Sequence, residues 1–264
     1  EAKTVNIVVC IKQVPDTTEV RIDPKTNTLI REGVPSIINP DDKAGLEAAI
    51  RIKEEKGAHV TAISMGPPQA DLALREALAM GADEAILITD RAFGGADTLA
   101  TSRTLAAALS KLDYDLIITG RQAIDGDTAQ VGPETAEHLG LTNISYAEEI
   151  KIDGDYIIVK RQYEDRYHTL KTKLPCLITA LAELNEPRYM SPKGIFEAFR
   201  EKEVKVWTAK DLDVDPNEIG LKGSPTKVKK SFTKGAKTAG KLFSLEPQES
   251  AELIVDKMKE KFII

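Results

Sequence analysis

The hydrophobic positions of the first half of the chain alternate between short apolar runs and helical stripes. Four runs are mainly apolar: Val5–Ile11, Val60–Met65, Ala85–Thr89 and Leu116–Thr119. Continuous apolar runs of this length are typical of strands that are buried on both faces of a sheet. Strands that alternate with helices at this spacing predict an α/β fold with a doubly wound, mainly parallel sheet.

Capping residues and glycines mark the predicted helices between these strands. Asn39-Pro40-Asp41-Asp42 supplies capping side chains and a proline for a helix that Gly57 ends. A second helix is predicted from about Ala70 to Met80, with Gly81 as its stop. Either Asp97 or Thr98 is predicted to cap a third helix, and a short fourth helix is predicted over Pro133–Leu139.

Alternating apolar and polar residues then predict antiparallel strands at the edge of the sheet. They cover Glu148–Ile152, Tyr156–Tyr163 and Thr169–Lys173. Leu177–Thr179 is apolar again and is expected to return to the sheet centre. Near the start of the chain, Val20–Ile22 and Leu29–Ile30 flank Asp-Pro-Lys-Thr-Asn-Thr and predict a hairpin.

The C-terminal quarter has a different composition. Residues 200–245 are rich in lysine, proline, glycine and threonine, and a segment with so few large apolar residues cannot fold by itself. An amphipathic helix over Glu249–Phe262 ends the chain. We therefore expect an α/β domain over residues 1–199 and a C-terminal arm over 200–264 that packs on a partner. The alternative is a disordered linker whose helix docks on its own domain.

Composition excludes several kinds of function. A net charge of −6 and 5% aromatic residues argue against nucleic acid as a partner, and no apolar run has the length of a membrane helix. Cys10 and Cys176 lie in apolar runs without a Cys-x-x-Cys motif, as reduced cysteines of a cytoplasmic protein do. The three histidines lie in separate elements without metal-ligand spacing. We therefore expect no metal site and no catalytic constellation, which indicates a nucleotide binder whose reactivity comes from a cofactor.

The loop from Gly120 to Gly132 is the strongest candidate site. It follows the fourth predicted strand, and ligands of parallel sheets bind beyond the carboxyl ends of the strands. Its glycines allow close backbone approach, and the N–H groups of the following helix favour a phosphate. Arg121, Thr128 and Gln130 suit phosphate contacts. An ordinary capped loop between strand and helix explains the same residues equally well.

Two other segments reach the same edge of the predicted sheet. Phe93–Thr98 combines small residues with a helix start, and Asn39–Asp42 begins the first helix. The residue types in each also fit a plain turn or helix cap. In the main loop, Asp125 and Asp127 suit ribose hydroxyls or backbone N–H groups better than phosphate.

Several motifs in order resemble the β subunits of electron-transfer flavoproteins. They are Val-Val-Cys-Ile-Lys-Gln-Val at 8–14, Asn39-Pro40, Ala-Leu-Ala-Met-Gly-Ala-Asp at 77–83, Gly-Arg-Gln-Ala-Ile-Asp-Gly-Asp at 120–127 and Leu-Asn-Glu-Pro-Arg-Tyr at 184–189. The resemblance implies a Rossmann-like fold of the adenine-nucleotide-binding type and a heterodimer with an α subunit that holds FAD.

The resemblance also implies two sets of site residues. The cofactor set is Cys10, Asn39, Asp41, Asp42, Met65, Ala96, Asp97, Thr98, Arg121, Gln122, Asp125, Gly126, Asp127, Thr128, Ala129, Gln130, Val131 and Gly132. The partner set, which matches a recognition loop that docks on acyl-CoA dehydrogenase, is Asn185, Glu186, Pro187, Arg188, Tyr189, Met190, Ser191, Pro192 and Ile195. Some family members anchor that loop with a leucine, where this chain has Ser191-Pro192-Lys193.

Two branches of the family differ in the nucleotide of the β subunit. Simple electron carriers hold a structural AMP. The bifurcating branch holds a second FAD, takes a hydride from NADH, and sends one electron towards ferredoxin or flavodoxin. The other electron passes through the α-subunit FAD to an acyl-CoA dehydrogenase or enoyl-CoA reductase. Asp-Gly-Asp-Thr-Ala-Gln-Val-Gly-Pro at 125–133 and the loop Ala92–Thr98 resemble the bifurcating form. A flavin needs more room than AMP, and that room is expected at the small residues Gly94, Gly95, Ala96, Gly126 and Ala129. AMP is the alternative ligand, and an ATP-binding homodimer of the universal-stress type is a rival of another class.

Overall fold

The computed structural model describes residues 4–16, 21–22, 29–30, 35–226 and 240–264, with backbone alone at 21–22 and 29–30. The chain divides into two compact units, Glu1–Val228 and Lys229–Ile264. The first unit contains every strand and five of the six α-helices of the described residues. The second contains the remaining helix.

Among the described residues, thirteen strands form one large sheet and two strand pairs. Their bounds are β1 Asn6–Cys10, β2 Gln13–Pro15, β3 Arg21–Ile22, β4 Leu29–Ile30, β5 Ser36–Ile38, β6 His59–Met65, β7 Glu84–Ile88, β8 Leu116–Gly120, β9 Thr142–Asp153, β10 Tyr156–Tyr163, β11 Arg166–Lys173, β12 Cys176–Ala180 and β13 Val204–Trp207. The large sheet has the order β11-β10-β9-β12-β8-β1-β6-β7-β13. It is parallel from β9 to β13, and β10 and β11 continue it antiparallel at one edge.

Helices of the first unit cover both faces of the large sheet. The helices of this unit are α1 Pro40–Lys56, α2 Asp71–Met80, α3 Thr98–Leu109, α4 Val131–Leu139 and α5 Pro192–Arg200, and the second unit contains α6 Pro247–Glu260. Apolar residues of α1 and α2 share one buried cluster with Ile7 and Val9 of β1. Those of α3 and α4 share a second cluster with Val8 and Cys10. Alternate side chains of β1 thus enter opposite layers, which confirms the predicted doubly wound fold.

The order in which successive strands are added to the sheet reverses beside β1. The first crossovers place β6 and then β7 on one side of β1, whereas the next places β8 on the other side. Consecutive loops therefore diverge above the carboxyl ends of β1 and β8. Such a topological switch point opens the crevice in which α/β sheets bind ligands.

The compact domain extends beyond the predicted boundary at residue 199. β13 pairs parallel with β7 from Val204 to Trp207, and Leu212 and Ile219 are 4% and 3% exposed within the α3 and α4 layer. The few apolar residues of this segment become buried because a sheet edge and a helical layer already exist beside them. Composition predicts an arm from residue 200 because it describes the segment without these neighbours.

The other elements form where the sequence predicts them, although some begin at a different residue. β9 begins at Thr142 instead of Glu148, and α4 begins two residues before Pro133. β12 returns to the sheet between β9 and β8 as predicted. β3 and β4 pair antiparallel, while the predicted turn at 23–28 lies outside the described residues.

The terminal helix α6 forms as predicted, although its predicted packing on a partner stays a prediction. Leu242 and Phe262 of this second unit are 96% and 95% exposed. In the ranges that the structure describes, none of the helices is both long and apolar enough to cross a bilayer.

A candidate nucleotide site at the carboxyl edge of the sheet

Asp42 ties together the ends of the two strands that flank the switch point. Its carboxylate is buried in the first turn of α1 and accepts hydrogen bonds from the backbone N–H of Gly120 and of Lys12, each at 2.8 Å. Burial raises the pKa of Asp42 to about 7, although both hydrogen bonds oppose this effect. A Cβ on Gly120 would lie 2.9 Å from the Cβ of Asp41, so only glycine fits at this crossing.

Asn39 shapes the beginning of the loop after β8. Its side-chain amide donates to the carbonyl of Gln122 at 2.8 Å and accepts from the N–H of Ile124 at 3.0 Å. The residue lies at the N-cap of α1, but its side chain makes no capping hydrogen bond there. The predicted capping role of Asn39 is therefore wrong, because the neighbouring loop occupies both polar ends of the amide.

Asp41 and Arg121 face each other at the rim of the crevice. Asp41 Oδ1 accepts from the N–H of Ala182 at 3.0 Å, and Asp41 Oδ2 lies 3.5 Å from Arg121 Nε. Within the described part of the chain, these two facing atoms are buried and have no hydrogen-bond partner. Burial raises the pKa of Asp41, while the charge of Arg121 lowers it. The guanidinium expected at a phosphate is thus held partly towards a carboxylate of the protein.

The middle of the loop is open to solvent and has an unusual backbone. Asp127 and Ala129 adopt positive φ angles of 50° and 54°, a conformation that disfavours residues with a Cβ. Asp125 pairs with Lys12 across the crevice at 2.8 Å, and Asp127 accepts from the amide of Gln122 at 3.0 Å. A Cβ on Gly126 would meet nothing within 4 Å, so the loop borders free space.

The loop leads into a helix whose amino terminus lacks a side-chain cap. Gln130 occupies the N-cap of α4, and among the described residues no side chain caps its first turn. A Cβ on Gly132 would lie 2.6 Å from Thr119 Oγ1, so glycine allows α4 to pack closely on β8. The first-turn N–H groups therefore form an electropositive end beside the switch point, which suits an anion.

The loop after β7 joins the same rim. Asp97 caps α3 by accepting from the N–H of Ala100 at 3.0 Å, which confirms one of the two predicted caps. Thr98 Oγ1 lies 3.0 Å from Gln130 Oε1 and 3.3 Å from Glu134 Oε1, so this loop touches the start of α4. The structure thus brings Ala96–Thr98 together with the loop after β8.

Sequence reasoning missed two residues beside this loop. Ser224 Oγ accepts from the N–H of Asp97 at 2.8 Å, and the N–H of Thr226 donates to Asp97 Oδ2 at 2.9 Å. Both lie in a polar, lysine-rich segment, and nothing in its pattern marks them as neighbours of the site.

Cys10 and Met65 end β1 and β6 at the same edge of the sheet. Cys10 is buried, and burial raises the pKa of its thiol to about 12, which keeps it protonated near neutral pH. Met65 is only half-buried. Cys176 is also buried, but it begins β12 and therefore lies at the amino edge of the sheet, away from the candidate site. Among the residues that the structure describes, no group of three or more histidine, cysteine, aspartate or glutamate side chains could hold a metal ion.

The predicted partner set divides into anchors and exposed residues. Arg188 donates to Glu47 and Glu54 of α1, and Ser191 caps α5 by accepting from the N–H of Gly194 at 2.9 Å. Asn185 also points inward, with its amide 3.4 Å from the carbonyl of Ala44. These residues hold the segment on α1 or shape it.

The exposed part of the same segment is largely apolar. Tyr189 is 98% exposed, and Met190 and Ile195 are partly exposed. Phe196 and Phe199 are also exposed on the short helix α5, as the amphipathic Ile-Phe-Glu-Ala-Phe at 195–199 indicates.

Comparisons with known proteins agree with this architecture. A family model for the electron transfer flavoprotein domain matches residues 26–212. The chain is 63% identical over 259 residues to "Electron transfer flavoprotein subunit beta" of Clostridium acetobutylicum, which covers 98% of this chain and 100% of the relative. It is 54% identical over 261 residues to "Caffeyl-CoA reductase-Etf complex subunit CarD" of Acetobacterium woodii, with 98% and 99% covered.

A third relative has another enzyme in its name. "Acryloyl-CoA reductase electron transfer subunit gamma" of Anaerotignum propionicum is 46% identical over 267 residues, with 98% of this chain and 99% of the relative covered. The family model spans well over half of the chain, and these relatives align along nearly its whole length. The chain therefore belongs to the electron transfer flavoprotein family, as a β subunit.

Proposed function

We propose that this β subunit binds FAD in the switch-point crevice, draws electrons from NADH and divides them between two acceptors. One acceptor is ferredoxin or flavodoxin, and the other is an acyl-CoA dehydrogenase or enoyl-CoA reductase, reached through FAD of the α subunit. Bound FAD supplies the exchange between two-electron and one-electron chemistry. The uncapped amino terminus of α4 beside the crevice is the observation that carries the proposal.

The residues at the rim fit a nucleotide diphosphate mainly through this helix end. Lys12 and Arg121 provide two positive charges, but each faces a carboxylate, Asp125 and Asp41 respectively. The side-chain charges therefore largely cancel, which leaves the N–H groups of α4 as the attraction for phosphate. Asp127 lies on the exposed part of the loop, where its carboxylate suits ribose hydroxyls.

The small residues of the two loops differ in how much space surrounds them. Gly126 borders free space, in agreement with the small residues expected there. Gly95 does not, because a Cβ at this position would lie 3.2 Å from the Cβ of Leu221. Space for a flavin beside Gly94 and Gly95 therefore stays a prediction. They allow close packing of the loop, and this favours AMP as the second candidate.

The names of two relatives support the class of electron acceptor that we propose. The proteins from Acetobacterium woodii and Anaerotignum propionicum are named as parts of caffeyl-CoA and acryloyl-CoA reductase systems. Both names refer to reductases of unsaturated acyl-CoA, which supports an acceptor of that class. β subunits of this family pair with α subunits, and the exposed residues of α5 are the surface that we assign to the acceptor enzyme.

Cofactor counting on the co-purified heterodimer tests the proposal. Denaturing extraction followed by chromatography should give two FAD per heterodimer. One FAD and one AMP would refute FAD binding by this chain, and would support the structural-AMP alternative.

A charge variant tests the part played by α4. Gln130→Glu keeps the size of the side chain but places a carboxylate at the helix amino terminus, where it should repel a phosphate. Glu137→Gln changes one charge near the other end of α4 and is the matched control. Q130E should lose β-subunit nucleotide on gel filtration. The melting temperature of nucleotide-free Q130E should equal or exceed that of the nucleotide-free wild type, because a carboxylate is favourable at a helix amino terminus. Full retention of nucleotide in Q130E would contradict a phosphate at this helix end.

A further inference from the structure

The segment Ile219–Thr226 lies against the loop after β7 along most of that loop. The N–H of Leu221 donates to the carbonyl of Gly94 at 3.0 Å, and Ser224 and Thr226 bond to Asp97. A Cβ on Gly220 would collide with the carbonyl of Ala92, so the two backbones touch directly. Loop 92–98 is therefore shaped from outside by a later part of the chain.

Ser224 is the centre of this contact. Its side chain is buried, donates to the carbonyl of Gly220 at 2.7 Å and accepts from the N–H of Asp97 at 2.8 Å. One hydroxyl thus closes the turn of its own segment and fixes the backbone of the loop. Thr226 adds a second bond to the carboxylate that caps α3.

The contact continues into the candidate site through Thr98. This residue follows Asp97 in sequence and touches Gln130 and Glu134 at the start of α4. A change at Ser224 would move Asp97, and Thr98 would move with it because a single peptide unit joins the two residues. No sequence pattern connects residues 219–226 with this edge of the sheet.

We propose that Ile219–Thr226 forms a clasp that sets the geometry of loop 92–98, with Ser224 as the positioning residue. The clasp acts on the nucleotide site through Asp97 and Thr98 and does not itself touch the nucleotide. Its effect on a flavin rests on the proposed function, whereas its effect on the loop does not. The effect on the loop and the effect on the flavin are accordingly tested by separate measurements.

Hydrogen exchange of the full chain tests the clasp. Ser224→Ala removes the acceptor of the Asp97 N–H, and exchange of amides in residues 92–98 should accelerate about tenfold, the factor that one hydrogen bond contributes. Ser110→Ala is the matched control, because its hydroxyl donates to the carbonyl of Ala106 at the other end of α3. S110A should leave exchange at 92–98 unchanged.

A second variant covers the case in which S224A does not fold. Thr226→Pro removes both the N–H and the hydroxyl that hydrogen-bond to the Asp97 carboxylate, at an exposed position. It should accelerate exchange in 92–98 in the same direction. Unchanged exchange in this loop, in S224A or in T226P if S224A does not fold, would overturn the clasp.

Visible circular dichroism of the heterodimer tests the effect on the site. At equal FAD content, S224A should change the flavin spectrum and S110A should not, which a loss of stability alone would not produce. An unchanged flavin spectrum with accelerated exchange would overturn the positioning role but keep the contact. If extraction finds AMP in place of the second FAD, the proposed function fails, and the exchange result still decides the clasp.

Discussion

The hydrogen bonds and ion pairs around Glu47 predict how much stability is lost when its carboxylate is replaced. Glu47 is 2% exposed and accepts from Arg51 at 2.8 Å and from Arg188 at 2.9 and 3.1 Å. The backbone N–H of Arg188 donates to the same carboxylate at 3.2 Å. Glu47→Gln keeps the shape of the side chain but replaces one acceptor with a donor that faces these arginine groups.

The magnitude follows from the burial of the pair. Breaking a fully buried ion pair costs about 3–5 kcal/mol. The side chains of Arg188 and Arg51 are 31% and 50% exposed, so solvent screens part of the interaction. We therefore expect E47Q to lower the free energy of unfolding by about 2–3 kcal/mol.

The pH dependence gives an independent signature. Burial raises the pKa of Glu47, but bonds from Arg188 and Arg51 outweigh this and hold the pKa below its ordinary value of 4.5. A lowered pKa in the folded state gives stability that is present above pH 4.5 and is lost as pH falls through the folded value. The difference between wild type and E47Q should therefore shrink below pH 4.5.

Urea denaturation provides the assay, with fluorescence of the single tryptophan, Trp207 in β13, as the probe. Glu54→Gln is the matched control, because Glu54 also pairs with Arg188 but is 57% exposed. It should cost about 0.5–1 kcal/mol or less. Equal losses for E47Q and E54Q would refute the argument that burial makes Glu47 the anchor.

Three further predictions concern the crevice. Gly132→Ala should destabilise the domain by about 1–3 kcal/mol in urea, because the added methyl group would lie 2.6 Å from Thr119 Oγ1. Ala129→Gly should stabilise it by about 0.5–1 kcal/mol, since glycine relieves the positive φ but is more flexible when unfolded; a loss would contradict this account. Burial raises the pKa of Asp42 to about 7, so the folded state binds a proton that the unfolded state releases above pH 3.8. The contribution of Asp42 to stability should therefore fall as the pH rises from 3.8 to 7. Asp42→Asn should flatten this slope in pH-dependent thermal melts, and an unchanged slope would assign the titration to another group.

The pattern of the sequence determined the architecture of the domain. The apolar runs are continuous because each central strand of a doubly wound sheet is buried on both faces, so β1, β6, β7 and β8 could be read directly. Asp97 could be read as a cap because capping is local in sequence. Family resemblance then singled out the loop after β8, which local chemistry alone could not separate from an ordinary turn.

The tertiary structure decided what each polar side chain binds. Asn39 and Asp42 look like helix caps in sequence, yet they bind loops that are 85 and 78 residues away. Arg188, which the resemblance assigns to a partner contact, anchors its segment on Glu47 of α1, and Ser224 lies in a segment that composition assigned to an arm. Such long-range hydrogen bonds depend on which strands become neighbours, and periodicity carries no information about that. The sequence alone determined the layers and the edge that holds the site, and only the fold decided which side chains remain free to bind a ligand there.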